Sequence, residues 1–265
     1  MVDIVPSALA DSFDIDSNRH QIIDALFRPT SLDWSPFLAG FDLLRDSVLS
    51  IHQTVTLKVD YLHEQPHPTV LLRGEAGIGK STTAKRAAVE LAKDDIIVLW
   101  CKRPPLHGAM SYRQLARGLQ DWQKTASAKG KSIVVFCDDP WGLRLSPSEL
   151  VGAFEGAEVP AVFVFVGRNS DYLVQEGGHQ VLPTTPDETI ELAYQLSLNE
   201  IERLKSLLVR VGVALNETDA QHAIGRIQTQ NADDILCSLW YLLPRTRASL
   251  SNAIQDEYCR LNSLA

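Results

Sequence analysis

Residues Gly74-Glu75-Ala76-Gly77-Ile78-Gly79-Lys80-Ser81 fill the pattern G-x-x-x-x-G-K-[ST], with an apolar run from Thr69 to Leu72 before them and a helix-forming stretch after them. This constrains the fold more than any other feature of the chain. A glycine-rich turn of this kind works only where a buried strand hands the backbone to the start of a helix, so that successive N–H groups and the helix N-terminus converge on an anion. The segment therefore reads as a phosphate-binding loop. Its binding set runs through Gly74, Glu75, Ala76, Gly77, Ile78, Gly79, Lys80, Ser81 and Thr82. Lys80 is expected to reach the β- and γ-phosphate oxygens, and the Ser81 hydroxyl to sit on Mg²⁺.

The surrounding chain fits an α/β fold built around that loop. From Thr69 onward short apolar runs alternate with helical stretches, the signature of βαβ units and a parallel sheet covered on both faces. Strands are predicted at 69 to 73, 95 to 100, 132 to 137, 161 to 166 and 179 to 183, and helices at 80 to 92, 111 to 128 and 147 to 156. After Pro186 apolar residues recur at three- and four-residue spacing through Leu192, Leu196, Ile201, Leu204, Leu207 and Leu208, which predicts helices. Ser197-Leu198-Asn199-Glu200 has the form of a capping box opening a helix that runs to about Val211. Further helices are predicted at 217 to 229, 232 to 242 and 246 to 262. From Met1 to about Pro66 there is no strand pattern, and helices are predicted at 17 to 27 and 41 to 63. The expected organisation is an N-terminal helical segment over 1 to 66, an α/β core with a five-stranded parallel sheet over 67 to 185, and a helical lid over 186 to 265.

A second motif lies 58 residues beyond Lys80: Ile133-Val134-Val135-Phe136-Cys137 is a buried-strand pattern closed by Asp138-Asp139. A carboxylate at the end of the strand beside the loop can hold Mg²⁺ through its water shell, the mode that ion prefers. Asp138 takes that role in this reading. Asp139, next to it, is placed to polarise an attacking water as a general base. The competing reading is a turn after a buried strand, since Asp-Asp-Pro is good turn chemistry. A third apolar run, Ala161 to Val166, ends in Gly167-Arg168. Ligands of a parallel sheet gather at the carboxyl ends of its strands, so Arg168 is placed to sense the phosphate, against the plainer reading of a solvated arginine.

The order of these motifs, a Walker A loop, Asp138-Asp139 closing a strand, a strand ending in Gly167-Arg168 and then a helical bundle, resembles the STAND class of signal-transduction NTPases. That class includes NB-ARC and NACHT domains and is related to AAA+ ATPases. The resemblance covers residues 40 to 250. It implies a molecular switch, ADP-bound at rest and self-associating when ATP binds, hydrolysing slowly and serving defence or stress signalling in prokaryotes. Carried over by position, Lys80 and Ser81 match the Walker A residues, Asp138 the Mg²⁺ acid, Asp139 the adjacent acid and Arg168 the sensor arginine. Phe37-Leu38-Ala39-Gly40-Phe41, before Arg45, resembles the segment that packs on the adenine. Two departures stand out: the Gly-Leu-Pro motif of NB-ARC domains is missing, with Leu242-Leu243-Pro244-Arg245 in its place, and so is the His-Asp pair of their winged helix. The resemblance also implies that effector and sensor domains belong to a longer protein from which this chain is a fragment, or to separate partners.

Composition narrows the alternatives. A formal net charge of −8 and a pI near 5.4 argue against a surface that tracks nucleic-acid phosphates. That weighs against the first rival, an AAA+-type motor acting on DNA. The second rival is a non-catalytic scaffold stabilised by nucleotide. Cys101, Cys137, Cys237 and Cys259 have neither disulfide-framework nor zinc-ligand spacing. No apolar run approaches the roughly 20 residues needed to cross a bilayer. The chain is expected to be cytoplasmic. Trp34, Trp100, Trp122 and Trp240 read as core residues, whereas Trp141 follows Asp139-Pro140 on the catalytic edge, and Lys102, Arg103 and Arg113 form a small basic cluster. Arg144, Arg245 and Arg247 are candidates for an arginine acting across an oligomer interface.

Overall fold

Residues Val162 to Val166 are buried at every position, which requires layers on both faces of a central strand. The computed structural model describes residues 2–10, 14–16, 18, 21–22, 33–75, 77–101, 112–125, 130–140, 147–168, 186–193, 195–211, 214 and 216–229. In chain order the strands are β1 (Val2–Ile4), β2 (Thr69–Gly74), β3 (Ile97–Cys101), β4 (Ile133–Asp138), β5 (Val162–Arg168) and β6 (Glu188–Glu191). The helices are α1 (Ser35–Leu38), α2 (Asp46–Asp60), α3 (Lys80–Lys93), α4 (Tyr112–Gln123), α5 (Pro147–Glu155), α6 (Leu198–Arg210) and α7 (Glu217–Thr229).

The strands form one six-stranded sheet in the order β1-β3-β4-β5-β2-β6. All neighbours are parallel except β1, which runs antiparallel to β3 with Val2 opposite Cys101. Three expectations are corrected here. Among the described residues the sheet has six strands and is mixed, not five and parallel. A strand, β1, lies in the N-terminal segment, and another, β6, follows Pro186 where only helices were expected. The Asp138 strand is also not beside the loop strand, because β5 pairs with both β2 and β4 and lies between them. The capping box at Ser197 and Glu200 forms as expected. The helix expected over 41 to 63 is shorter, running from Asp46 to Asp60. Of the helix expected over 17 to 27, residues 18, 21 and 22 are described and are helical. The strand expected at 179 to 183 and the helices at 232 to 242 and 246 to 262 lie outside the described residues.

These residues group into two compact units. The first comprises Met1–Ser7, Ser47–Ala76 and Lys80–Ala193 and contains the sheet. One face of the sheet carries Leu71, Leu99, Val135, Phe163 and Phe165, packed against Ala116 and Leu119 of α4 and Leu150, Val151 and Phe154 of α5. Phe163 is the hub of that layer, edge-on to Phe154 at 5.2 Å and stacked on Phe165 at 6.3 Å. The alternate residues of the strands face the other way, where α3 packs against β2 to β5 with Ala84, Ala87, Ala88 and Leu91 buried. Small side chains along α3 let the helix lie close to the sheet. The second unit, Ala8–Asp46, Gly77–Gly79 and Tyr194–Ala265, has its own core of Leu43, Leu204, Leu207, Leu208, Ala214, Ala220 and Ile224.

The start of β2 is latched by a carboxylate. Asp187 accepts hydrogen bonds from the Thr69 backbone N–H at 2.6 Å, the Thr69 hydroxyl at 3.1 Å and the Gln65 amide at 2.5 Å. Burial alone would raise the Asp187 pKa, but the Thr69 and Gln65 hydrogen bonds and the charge of Lys58 outweigh it and hold the group below its ordinary 3.8. A carboxyl whose folded pKa lies below its unfolded one stabilises the fold above the unfolded value and loses that contribution as pH falls through the folded value. Asp187→Asn is therefore expected to destabilise the chain at pH 7, with the gap to wild type closing below pH 3.8. Chemical denaturation of both proteins across that range measures it.

Candidate functional site

The loop leaves β2 at Gly74 and enters α3 at Lys80. Two of its glycines, Gly77 and Gly79, have φ of +82° and +88°, a region closed to most L-residues. At Gly79 an added Cβ would meet no atom within 4 Å. The conformation, not space, is what requires glycine there. Ile78 between them is buried. The Lys80 ammonium donates to the Glu75 carbonyl at 2.5 Å, folding back over its own loop. Thr82 follows in the first turn of α3 and is half-buried; Ala76 lies outside the described residues.

β5 brings the other predicted residues into one row. Gly74 is the register partner of Arg168, and Asp138 that of Val166, two residues earlier on the same strand. The ladder continues one step further, with the Asp139 N–H donating to the Val166 carbonyl at 2.9 Å. Arg168 is the last residue of the strand, not part of a loop beyond it, and is exposed. The Ser81 hydroxyl donates to Asp138 Oδ1 at 3.0 Å, joining the first turn of α3 to the end of β4. Burial pushes the Asp138 carboxyl up, the hydrogen bond from Ser81 and the charge of Lys85 pull it down, Asp139 pushes it up again, and Lys80 lowers it. Lys85 escaped the sequence reading. It lies four residues after Ser81, and hence on the same face of α3, a spacing that could have revealed it.

Asp139 has φ of +48°. A left-handed conformation at a non-glycine residue costs about 1–2 kcal/mol, least for Asp and Asn. The chain turns here as it leaves the sheet, at the second of two adjacent carboxylates.

A second cluster was not foreseen. Arg45 is 5% exposed and donates through Nε to Glu200 Oε1 at 2.8 Å and through NH1 to the Ile78 carbonyl at 3.1 Å. Glu200 also accepts from the Asp46 N–H at 2.8 Å and the Ser197 N–H at 2.9 Å. Asp46 in turn accepts from the Ser197 hydroxyl and from Arg203. The Ser197 hydrogen bond, joined by Arg203 and Arg45 and opposed by burial, holds its carboxyl below the ordinary range. Beside this cluster Arg210 donates to the Gly40 carbonyl and lies 5.6 Å over the Phe41 ring.

The residues fit a nucleotide and a hard cation. The loop supplies left-handed glycines and a lysine; the Ser81 hydroxyl and the Asp138 carboxylate are oxygen donors suited to Mg²⁺. Among the described residues no group of three or more His, Cys, Asp or Glu side chains could hold a metal ion, so a cation at Ser81 and Asp138 would take further oxygens from phosphate or water.

Comparison with known families gives a match to Novel STAND NTPase 5 over residues 26–178, more than half of the chain. The chain belongs to that family. As a Novel STAND NTPase 5 member it is a nucleotide-binding NTPase module. No curated protein matches the sequence. Among solved structures it is similar to PCH-2 of C. elegans (14% identity, TM-score 0.43, covering 69% of this chain and 53% of that one). It is also similar to Trip13 of Rhizobiales (13%, TM-score 0.36, 85% and 80%) and to a chain of the HORMA:CdnC:Trip13 complex of E. coli MS115-1 (17%, TM-score 0.37, 84% and 78%). The chain thus spans about half the length of the PCH-2 chain.

In this STAND NTPase Trp34 and Trp100 are buried as expected, and Trp122 is half-buried. Cys101 and Cys137 are buried free thiols in register on β3 and β4. Arg113 is exposed on α4. Lys102, Arg103, Trp141, Arg144, Trp240, Arg245, Arg247, Cys237, Cys259 and the segment 242–245 lie outside the described residues. No helix among the described residues is long and apolar enough to cross a membrane.

The backbone of Asp139 makes the choice of substitution matter. Asp139→Asn and Asp139→Gly tolerate the positive φ, whereas Asp139→Ala does not and is expected to cost about 1 kcal/mol of stability. Thermal denaturation of the three variants should rank alanine lowest; equal melting temperatures would remove the strain argument.

Proposed function

We propose that this NTPase module is an ATP-binding switch that hydrolyses slowly, rests with ADP and Mg²⁺ bound, and self-associates when ATP replaces ADP. The reading places it in the cytoplasm, in defence or stress signalling, joined to effector and sensor functions supplied by a longer chain or by partners, and assigns the helical segment after β6 the role of lid. The observation that carries the nucleotide chemistry is the 3.0 Å hydrogen bond between the Ser81 hydroxyl and Asp138. It couples the loop hydroxyl to the strand-end carboxylate, the pair of hard oxygen donors that Mg²⁺ uses at phosphate sites.

In this reading the loop N–H groups from Gly74 to Ser81 with Thr82 bind the phosphates, and Lys80 exchanges its Glu75 carbonyl for phosphate oxygens. Ser81 and Asp138 hold the cation, which when bound neutralises phosphate charge. Asp139 accepts the proton of the attacking water. Its position one residue beyond the cation's acid supports a general-base role. Arg168, exposed at the row's end between Gly74 and Asp138, senses the terminal phosphate. The net charge of −8 speaks against a motor working on DNA.

The test is to heat-denature the purified chain, never supplied with nucleotide, and to identify what it releases. Near-stoichiometric ADP is expected, since a resting switch retains its product. Release of nothing, followed by free turnover of added ATP, would sink the switch reading and favour a motor. Lys80→Ala is expected to abolish retention. Asp139→Asn should retain nucleotide but accumulate ATP, with hydrolysis lowered at least 10²-fold, the usual range for a lost general base. Single-turnover assays with radiolabelled ATP separate these outcomes.

A further inference from the structure

We propose that Arg45 is a positioning residue for nucleotide binding: by holding the Ile78 carbonyl it sets the direction of the Gly79 N–H inside the phosphate loop. This rests on the reading of residues 74 to 81 as a nucleotide site. The Ile78–Gly79 peptide is trans, so its C=O and N–H point to opposite sides of one rigid plane. Fixing the carbonyl fixes the donor. The glycine does not fix it by itself, because rotation of this peptide is governed by ψ of Ile78 and φ of Gly79. Glycine allows positive and negative φ almost equally, and no neighbour lies within 4 Å of where a Gly79 Cβ would stand.

Arg45 supplies what the glycine leaves open. Its guanidinium spans the Ile78 carbonyl at 3.1 Å and Glu200 Oε1 at 2.8 Å, and as a rigid planar fork it cannot trade one contact for the other by rotating a single nitrogen. Glu200 is in turn held by two backbone N–H groups, those of Asp46 and Ser197. The carbonyl is thus anchored to the first turn of α6. The N–H on the far side of the plane adjoins Lys80, in the run of donors that meets phosphate. Loss of Arg45 frees the peptide to flip, and a flipped peptide presents a carbonyl oxygen to the phosphates in place of a donor.

The experiment uses the full chain stripped of nucleotide, labelled with ¹³C-carbonyl isoleucine and ¹⁵N-glycine. Ile-Gly occurs twice in the sequence, at Ile78-Gly79 and at Ile224-Gly225, so a carbonyl-filtered spectrum holds one reporter and one internal control. In Arg45→Met the Ile78-Gly79 signal is expected to shift or double while the control stays in place, and the affinity for Mg²⁺-ADP, measured by calorimetry, to fall at least about tenfold. Arg45→Lys, which keeps charge but not the fork, should move both readouts the same way; it decides the matter where Arg45→Met fails to fold. An unmoved reporter together with wild-type ADP affinity overturns the proposal. A wild-type chain that binds no ADP overturns the nucleotide reading itself, and a reporter that still responds to Arg45→Met would then leave the peptide restraint standing without a ligand.

Discussion

The pairing of β5 with two strands at once fixes the chemistry of the sheet's carboxyl edge. Because β5 bonds to β2 on one side and β4 on the other, its register brings Gly74, Arg168 and Asp138 to within two rungs of one another. A slip of one residue would turn the strand's side chains to the opposite faces. Register is protected by burial: Phe163 and Phe165 sit in the layer under α4 and α5, and their neighbours face α3. The apolar core thus sets the relative height of polar groups far apart in the chain. Asp138 meets the Ser81 hydroxyl across the width of β5 because α3 packs across several strands, not because β4 adjoins the loop strand.

What could be read from the sequence divides along a physical line. β2 to β5 were legible because a strand buried on both faces is apolar at nearly every position. The loop was legible because backbone conformation dictates its glycines. The capping box of Ser197 and Glu200 is a local motif whose two hydrogen bonds span three residues. β1 and β6 were not legible: one has three residues, the other reads Glu-Thr-Ile-Glu at an exposed sheet edge, and edge strands resist aggregation by being short and charged. The Arg45–Glu200 pair was hidden for another reason. Its partners lie 155 residues apart, and a buried salt bridge has no periodicity to betray it.

The same pair raises an energetic question. Taking two charges out of water costs on the order of several kcal/mol for each ion, and an apolar pair of similar volume often stabilises a fold more. Arg45 and Glu200 are thus a poor explanation for stability. Their hydrogen bonds point instead to geometry. Glu200 accepts from Arg45 and from two backbone N–H groups, so its charge is met by donors, and Arg45 also donates to the Ile78 carbonyl. A leucine or methionine at position 45 could fill the volume but could not tell one peptide orientation from its inverse.

A glycine-rich loop that presents backbone donors carries a tension. Positive φ at Gly77 and Gly79 curves the chain so that its donors converge, and only glycine adopts such angles without strain. Yet glycine specifies least, since the freedom that permits the curve also permits its alternatives. A loop made only of permissive residues would lose affinity in proportion to the fraction of time its donors point elsewhere. Nearby, Asp139 meets the opposite condition, a residue with a carboxylate side chain held in a conformation that glycine would take at no cost. There the carboxylate is kept and strain accepted; in the loop the strain is removed and orientation must come from outside. A buried arginine with a carbonyl-directed nitrogen is the kind of restraint such a loop needs.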